Sequence, residues 1–79
     1  MSSLVFSKVV HIISSILDIP VESVEESSSP NSIKKWDSVN HLNIILALEE
    51  EFNLKFSKDE IESMISVKII NSTIESFQE

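Results

Sequence analysis

Ser38, in the run Trp36-Asp37-Ser38-Val39-Asn40-His41-Leu42, carries the hydroxyl best placed for chemistry in this chain. It opens an amphipathic stretch that closes on Glu49-Glu50-Glu51-Phe52. A serine at the start of a helix has a short, reachable hydroxyl, and the helix N-terminus offers free N–H groups and a positive dipole end that stabilise an anion. The plain alternative is that Ser38 only caps the helix, because serine is a favoured N-cap residue. No other constellation competes with it. The chain has no cysteine, hence no disulfide, thiolate nucleophile or thiolate metal ligand. It has no glycine, which excludes glycine-rich phosphate loops. No Ser/His/Asp set stands at usable spacing, and the neighbouring carboxylates lack the supporting groups of a glycosidase site. The sequence therefore reads as holding neither catalytic residues nor a metal site.

The elements that must position Ser38 follow from periodicity. Residues 4–17 read as a helix, because Val5, Val9, Ile12, Ile13, Ile16 and Leu17 recur at three- and four-residue spacing. Its high β-branched content leaves a strand as the alternative, which its length disfavours. Ser2 or Ser3 can cap its start, and Pro20 should stop it by Ile19. Residues 19–36 form a long connection around the breaker cluster Ser27-Ser28-Ser29-Pro30-Asn31. Loops this long in small domains are functional or pinned; Val21, Val24 and Ile33 are spaced to pin this one. Ser23 and Glu26 have capping-box spacing and could nucleate one short turn.

Residues 38–53 read as the second helix. His41, Leu42, Ile44, Ile45, Leu48 and Phe52 share one broad face, expected to be the core face. Val39, Asn43, Leu46 and Glu50 share another, half apolar and turned outward, which has the makings of a contact surface. Ser57-Lys58-Asp59-Glu60 is a capping box that opens a short third helix with Ile61, Met64 and Ile65 on its apolar side. Ser66 can cap a fourth helix carrying Ile69, Ile70, Ile74 and Phe77, although Ser72 and Glu75 repeat the capping-box spacing. The expected fold is all-α: four helices, a long loop between the first two, and a short third helix.

The 79 residues and formal net charge of -7 set the remaining bounds. That length is one domain, spanning 1–79, and it buries only about 60% of its chain surface. An acidic surface repels nucleic-acid phosphates and favours basic protein partners. No apolar run approaches the roughly 20 residues of a membrane span, and the N-terminus lacks the pattern of a signal peptide. The expectation is a soluble, cytoplasmic monomer.

Asp37-Ser38-Val39, then Leu46-Ala47-Leu48-Glu49-Glu50-Glu51-Phe52, then Phe56-Ser57-Lys58-Asp59-Glu60, resembles the acyl carrier proteins over nearly the whole chain. The resemblance implies a four-helix carrier fold in which the Ser38 hydroxyl, beside Asp37, is esterified to 4′-phosphopantetheine by a phosphopantetheinyl transferase drawing on coenzyme A. The thiol of that arm would carry an acyl group as a thioester, and the protein itself would catalyse nothing. Val39, Asn43, Leu46, Glu49 and Glu50 would then form a docking face for acyl-activating enzymes or acyltransferases with basic patches. The linkage is a phosphodiester, an anion suited to a helix N-terminus.

The chain departs from the fatty-acid type of carrier. Asn40 and Asn43 stand where that type has acids, Val39 replaces a leucine, and Trp36 replaces a small residue. The Trp-Asp-Ser…His-Leu pattern is more similar to stand-alone carriers of specialised pathways, such as surface polysaccharide or secondary metabolite synthesis. The alternatives are an aminoacyl or peptidyl carrier, and an unmodified acidic adaptor that binds a basic partner. The remaining side chains have plain readings beside sharper ones. His41 could contact a phosphate or tune a pH response, or be a half-buried helix residue; His11 reads as surface. Trp36 could touch the arm, or anchor the loop end against the second helix. Glu49-Glu50-Glu51 could be a solvated face or a docking patch. Ile45, Leu48, Phe56, Ile61 and Met64 are the expected lining of an apolar space for cargo.

Overall fold

The first helix, α1 (Ser3–Leu17), turns Val5, Val9, Val10, Ile13 and Leu17 inward. It stops without glycine. Asp18 takes φ 56°, and the Ile19 N–H closes back on the Ser14 carbonyl at 3.0 Å, the six-to-one bond of a Schellman turn. Pro20 then holds the chain extended. The computed structural model describes residues 3–77. Ser2, one of the two expected caps of α1, lies outside them, and Ser3 is already helical.

The connection to the second helix is long but pinned. A 3₁₀ turn spans Val21–Ser23, so the short turn forms upstream of the Ser23–Glu26 spacing that suggested one. Of the three expected pins, Val24 is buried and Ile33 packs on the core, whereas Val21 is exposed. Serines organise the rest. The Ser28 hydroxyl accepts from the Glu25 N–H at 2.8 Å, and that of Ser29 accepts from the Asn31 N–H at 3.2 Å. The Ser28 and Glu26 carbonyls accept the Val67 and Lys68 N–H groups, both at 3.0 Å. The loop thus satisfies the open amides of the fourth helix.

α2 (Ser38–Phe52) buries Ile44, Ile45 and Leu48. Its expected core face is too wide by one residue: His41 and Phe52 are half-buried, and Leu42 is exposed. It ends as α1 does, with Asn53 at φ 55° and the Leu54 N–H on the Glu49 carbonyl at 3.1 Å. α3 (Lys58–Ser63) begins at the expected capping box. The Ser57 hydroxyl accepts from the Glu60 N–H, and the Glu60 carboxylate from the Ser57 N–H. Met64 after it is fully buried and Ile65 is exposed.

α4 (Val67–Phe77) starts behind Ser66, whose hydroxyl accepts from the Ile69 N–H at 3.2 Å. The repeated spacing at Ser72 is helix interior. α1 packs on both α2 and α4. The fold is an all-α bundle of four helices, with no strand among the described residues. Trp36, at the end of the long loop, is part of its core.

Candidate functional site

Asp37 and Ser38 exchange the roles that their types allow equally. Asp37, not Ser38, is the N-cap of α2: its carboxylate accepts from the Asn40 N–H at 2.8 Å, and its carbonyl from the His41 N–H. Ser38 is the first helical residue, exposed, with a hydroxyl that makes no hydrogen bond among the described residues. The reading of Ser38 as only a cap is thereby removed.

The residues around it are built into a clamp. The Asp37 N–H and the Asn40 side-chain amide both donate to the Lys35 carbonyl, at 3.0 and 2.9 Å. Asn43 reaches the Asn40 side-chain oxygen at 3.4 Å. Trp36 donates its indole Nε1–H to Nδ1 of His41 at 3.1 Å, and the rings stack with centroids 6.2 Å apart. An indole nitrogen is only a donor, so Nδ1 is the acceptor and a neutral imidazole carries its hydrogen on Nε2. Nε2 lies 3.1 Å from the Ile61 carbonyl and donates to it. Trp36, His41 and Ile61 therefore form a continuous hydrogen-bonded link from loop to α2 to α3. The sequence allowed Trp36 an anchoring role but carried no signal for the Ile61 carbonyl, since backbone acceptors have no side-chain signature.

Beside Ser38 lies a cleft of about 590 Å³, within the usual range for small-molecule sites. Ser38, Asp37, Trp36, His41, Leu42, Ile61 and Ile65 line it. The apolar space expected among Ile45, Leu48, Phe56, Ile61 and Met64 has a different shape. Only Ile61 borders the cleft; the other four are buried in the packed core.

The outward stripe of α2 is placed as its spacing indicates. Val39 is 69% exposed and Leu46 63%, with Asn43 and Glu50 also exposed. Leu42, at 54%, joins them although its spacing put it on the core face. The three consecutive acids differ. Glu49 is half-buried and accepts from the Phe56 N–H at 2.8 Å, holding the turn into α3. Glu51 pairs with Lys8 at 3.3 Å. Glu50 makes no hydrogen bond or ion pair among the described residues, which leaves its carboxylate uncommitted there. No cluster of metal-ligating side chains exists among the described residues. None of the helices is long and apolar enough to cross a membrane.

Two curated proteins are similar in sequence to this chain. The acyl carrier protein of Buchnera aphidicola subsp. Schizaphis graminum is 34% identical over 61 residues, covering 77% of each chain. This chain belongs to the acyl carrier protein family. "Acyl carrier protein 3" of Ralstonia nicotianae is 29% identical over 72 residues, covering 91% of this chain and 83% of that one. No family model matches the chain. Members of this family are carriers rather than enzymes and hold a covalent phosphopantetheine. Such a group fits the residues present: Ser38 offers an unbonded hydroxyl, and Asp37 occupies only the Asn40 amide of the first turn. The Ser38 and Val39 N–H groups stay open among the described residues, as phosphodiester oxygens would require.

Proposed function

We propose that the chain is a single carrier domain, residues 1–79, that holds an acyl thioester on 4′-phosphopantetheine attached to Ser38. The observation that carries this reading is the division of labour at the start of α2. Asp37 caps the helix, which leaves the Ser38 hydroxyl exposed and uncommitted at a helix N-terminus. When bound, the arm supplies the thiol that a cysteine-free chain lacks. The chain's own residues hold the serine out, neutralise the phosphodiester through open amides, and shelter the root of the arm beside Trp36 and Leu42. No bond is made or broken by the protein itself.

Its partners are a phosphopantetheinyl transferase and acyl-activating or acyltransferase enzymes. They dock on Val39, Asn43 and Leu46, with Glu50 as the free acid for a basic patch. The pathway is a specialised one rather than bulk fatty-acid synthesis, carried out by a cytoplasmic monomer. Asn40 and Asn43 support this, because they are neutral where the fatty-acid type of carrier presents acids close to the serine. The test is incubation with coenzyme A, magnesium and a broad-specificity transferase. The mass should rise by one phosphopantetheine in the wild type and not in Ser38→Ala. An unchanged wild type across several transferases would leave an unmodified adaptor as the function.

A further inference from the structure

The cleft beside Ser38 and the packed core lie on two sides of one polar link. The link runs from Trp36 through His41 to the Ile61 carbonyl, by hydrogen bonds of 3.1 Å each. All three residues line the cleft, while Ile45, Leu48 and Met64 lie at 0–2% exposure in the core and do not border it. We propose that Trp36 and His41 form a crossbar that sets the cargo this carrier accepts: a short acyl group that rests in the cleft, and not a long alkyl chain that threads between the helices.

This rests on the reading of Ser38 as the loading site. A chain driven past the crossbar must separate both hydrogen bonds. The Trp36 indole N–H, in a residue 2% exposed, would then lose its partner, while the Ile61 carbonyl would keep only the Met64 N–H at 3.4 Å. The orphaned indole disfavours that state by roughly 5- to 150-fold. Each methylene transferred out of water favours it by about fourfold. About two to four methylenes are needed merely to offset the orphaned indole. They must also find room among core side chains already at 0–2% exposure. Interiors at native density do not yield such space without displacing side chains. Cargo in the cleft, against Leu42 and Ile65, needs no such rupture.

Trp36 is the only tryptophan, so its indole N–H gives one unambiguous resonance. Loading the protein with a series of acyl-coenzyme A donors from two to twelve carbons separates the possibilities. Intact mass on each sample shows whether Ser38 was loaded, and failure there concerns the carrier reading alone. In loaded wild type, the melting temperature should rise over the shortest chains and then level off. The indole N–H resonance should stay at its hydrogen-bonded position throughout. His41→Ala, which removes the crossbar, should let melting rise on through the longer chains. A wild-type melting temperature that climbs to twelve carbons with loss of the indole hydrogen bond would overturn the proposal, as would an identical plateau in a folded His41→Ala. If that variant does not fold, the wild-type profile and resonance decide by the same two outcomes.

Discussion

Asn40 shows how one substitution in a family pattern can be structural before it is functional. Its side-chain amide donates to the Lys35 carbonyl, fixing the last residues of the long loop against α2. A carboxylate cannot donate, so Asn40→Asp should lower stability by about 0.5–1.5 kcal/mol. In a domain of this size that is a fall in melting temperature of several degrees, readable in a thermal scan. Asn43→Glu disturbs only a 3.4 Å contact and should leave the melting temperature unchanged. If the missing acids explain poor use by fatty-acid enzymes, Asn43→Glu alone should raise their rates with this protein. No gain in rate would place the specificity elsewhere on the face. The exchange of roles between Asp37 and Ser38 was not legible in the sequence, because both types are good caps and a one-residue shift of the helix start is invisible to periodicity. The place of the serine at the start of α2 was legible; the reason its hydroxyl is free was not.

α3 is the element that depends most on others. Six residues cannot hold a helix in isolation, so its position comes from tethers. These are the Ser57–Glu60 capping box, the buried Met64, the Glu49 carboxylate on the Phe56 N–H, and His41 on the Ile61 carbonyl. Glu49→Ala removes a charged acceptor from a half-buried amide and should cost about 1–3 kcal/mol of unfolding free energy in a denaturant titration. Glu50→Ala, which breaks no bond, should cost nothing measurable. Equal losses in the two variants would refute this division of the acidic run. The capping box was legible because its two partners are three residues apart. The Glu49 tether spans seven residues and has no comparable signature. Leu42 misled the helical projection: the position belongs to the core face by angle, but there it meets the open cleft instead of packed side chains. In a chain without glycine, Asp18 and Asn53 occupy the left-handed turns that end α1 and α2. Asp18→Gly, which relieves a left-handed conformation, should raise the melting temperature.

At the scale of the molecule, the charge of -7 and the uncommitted Glu50 at the edge of an apolar stripe are features that would suit the proposed basic partner. Exposed charges are screened over about 8 Å at physiological ionic strength, so association with a transferase should slow as salt rises. Glu50→Lys should slow it further while leaving dissociation little changed. A salt-independent association rate would assign docking to Val39, Leu42 and Leu46 alone. The overall architecture was legible because four amphipathic segments and one long loop leave few ways to build a common core. The cleft was not, because it depends on which apolar residues the packed core leaves over. The central claim is that Ser38 carries the arm, and the most direct measurement is the intact mass of the protein purified from its host with thioesters preserved. The account predicts a species heavier than the chain by one phosphopantetheine, with or without cargo, and none in Ser38→Ala. A host-purified protein at the mass of the bare chain, under conditions where another carrier from the same cells is modified, would contradict it.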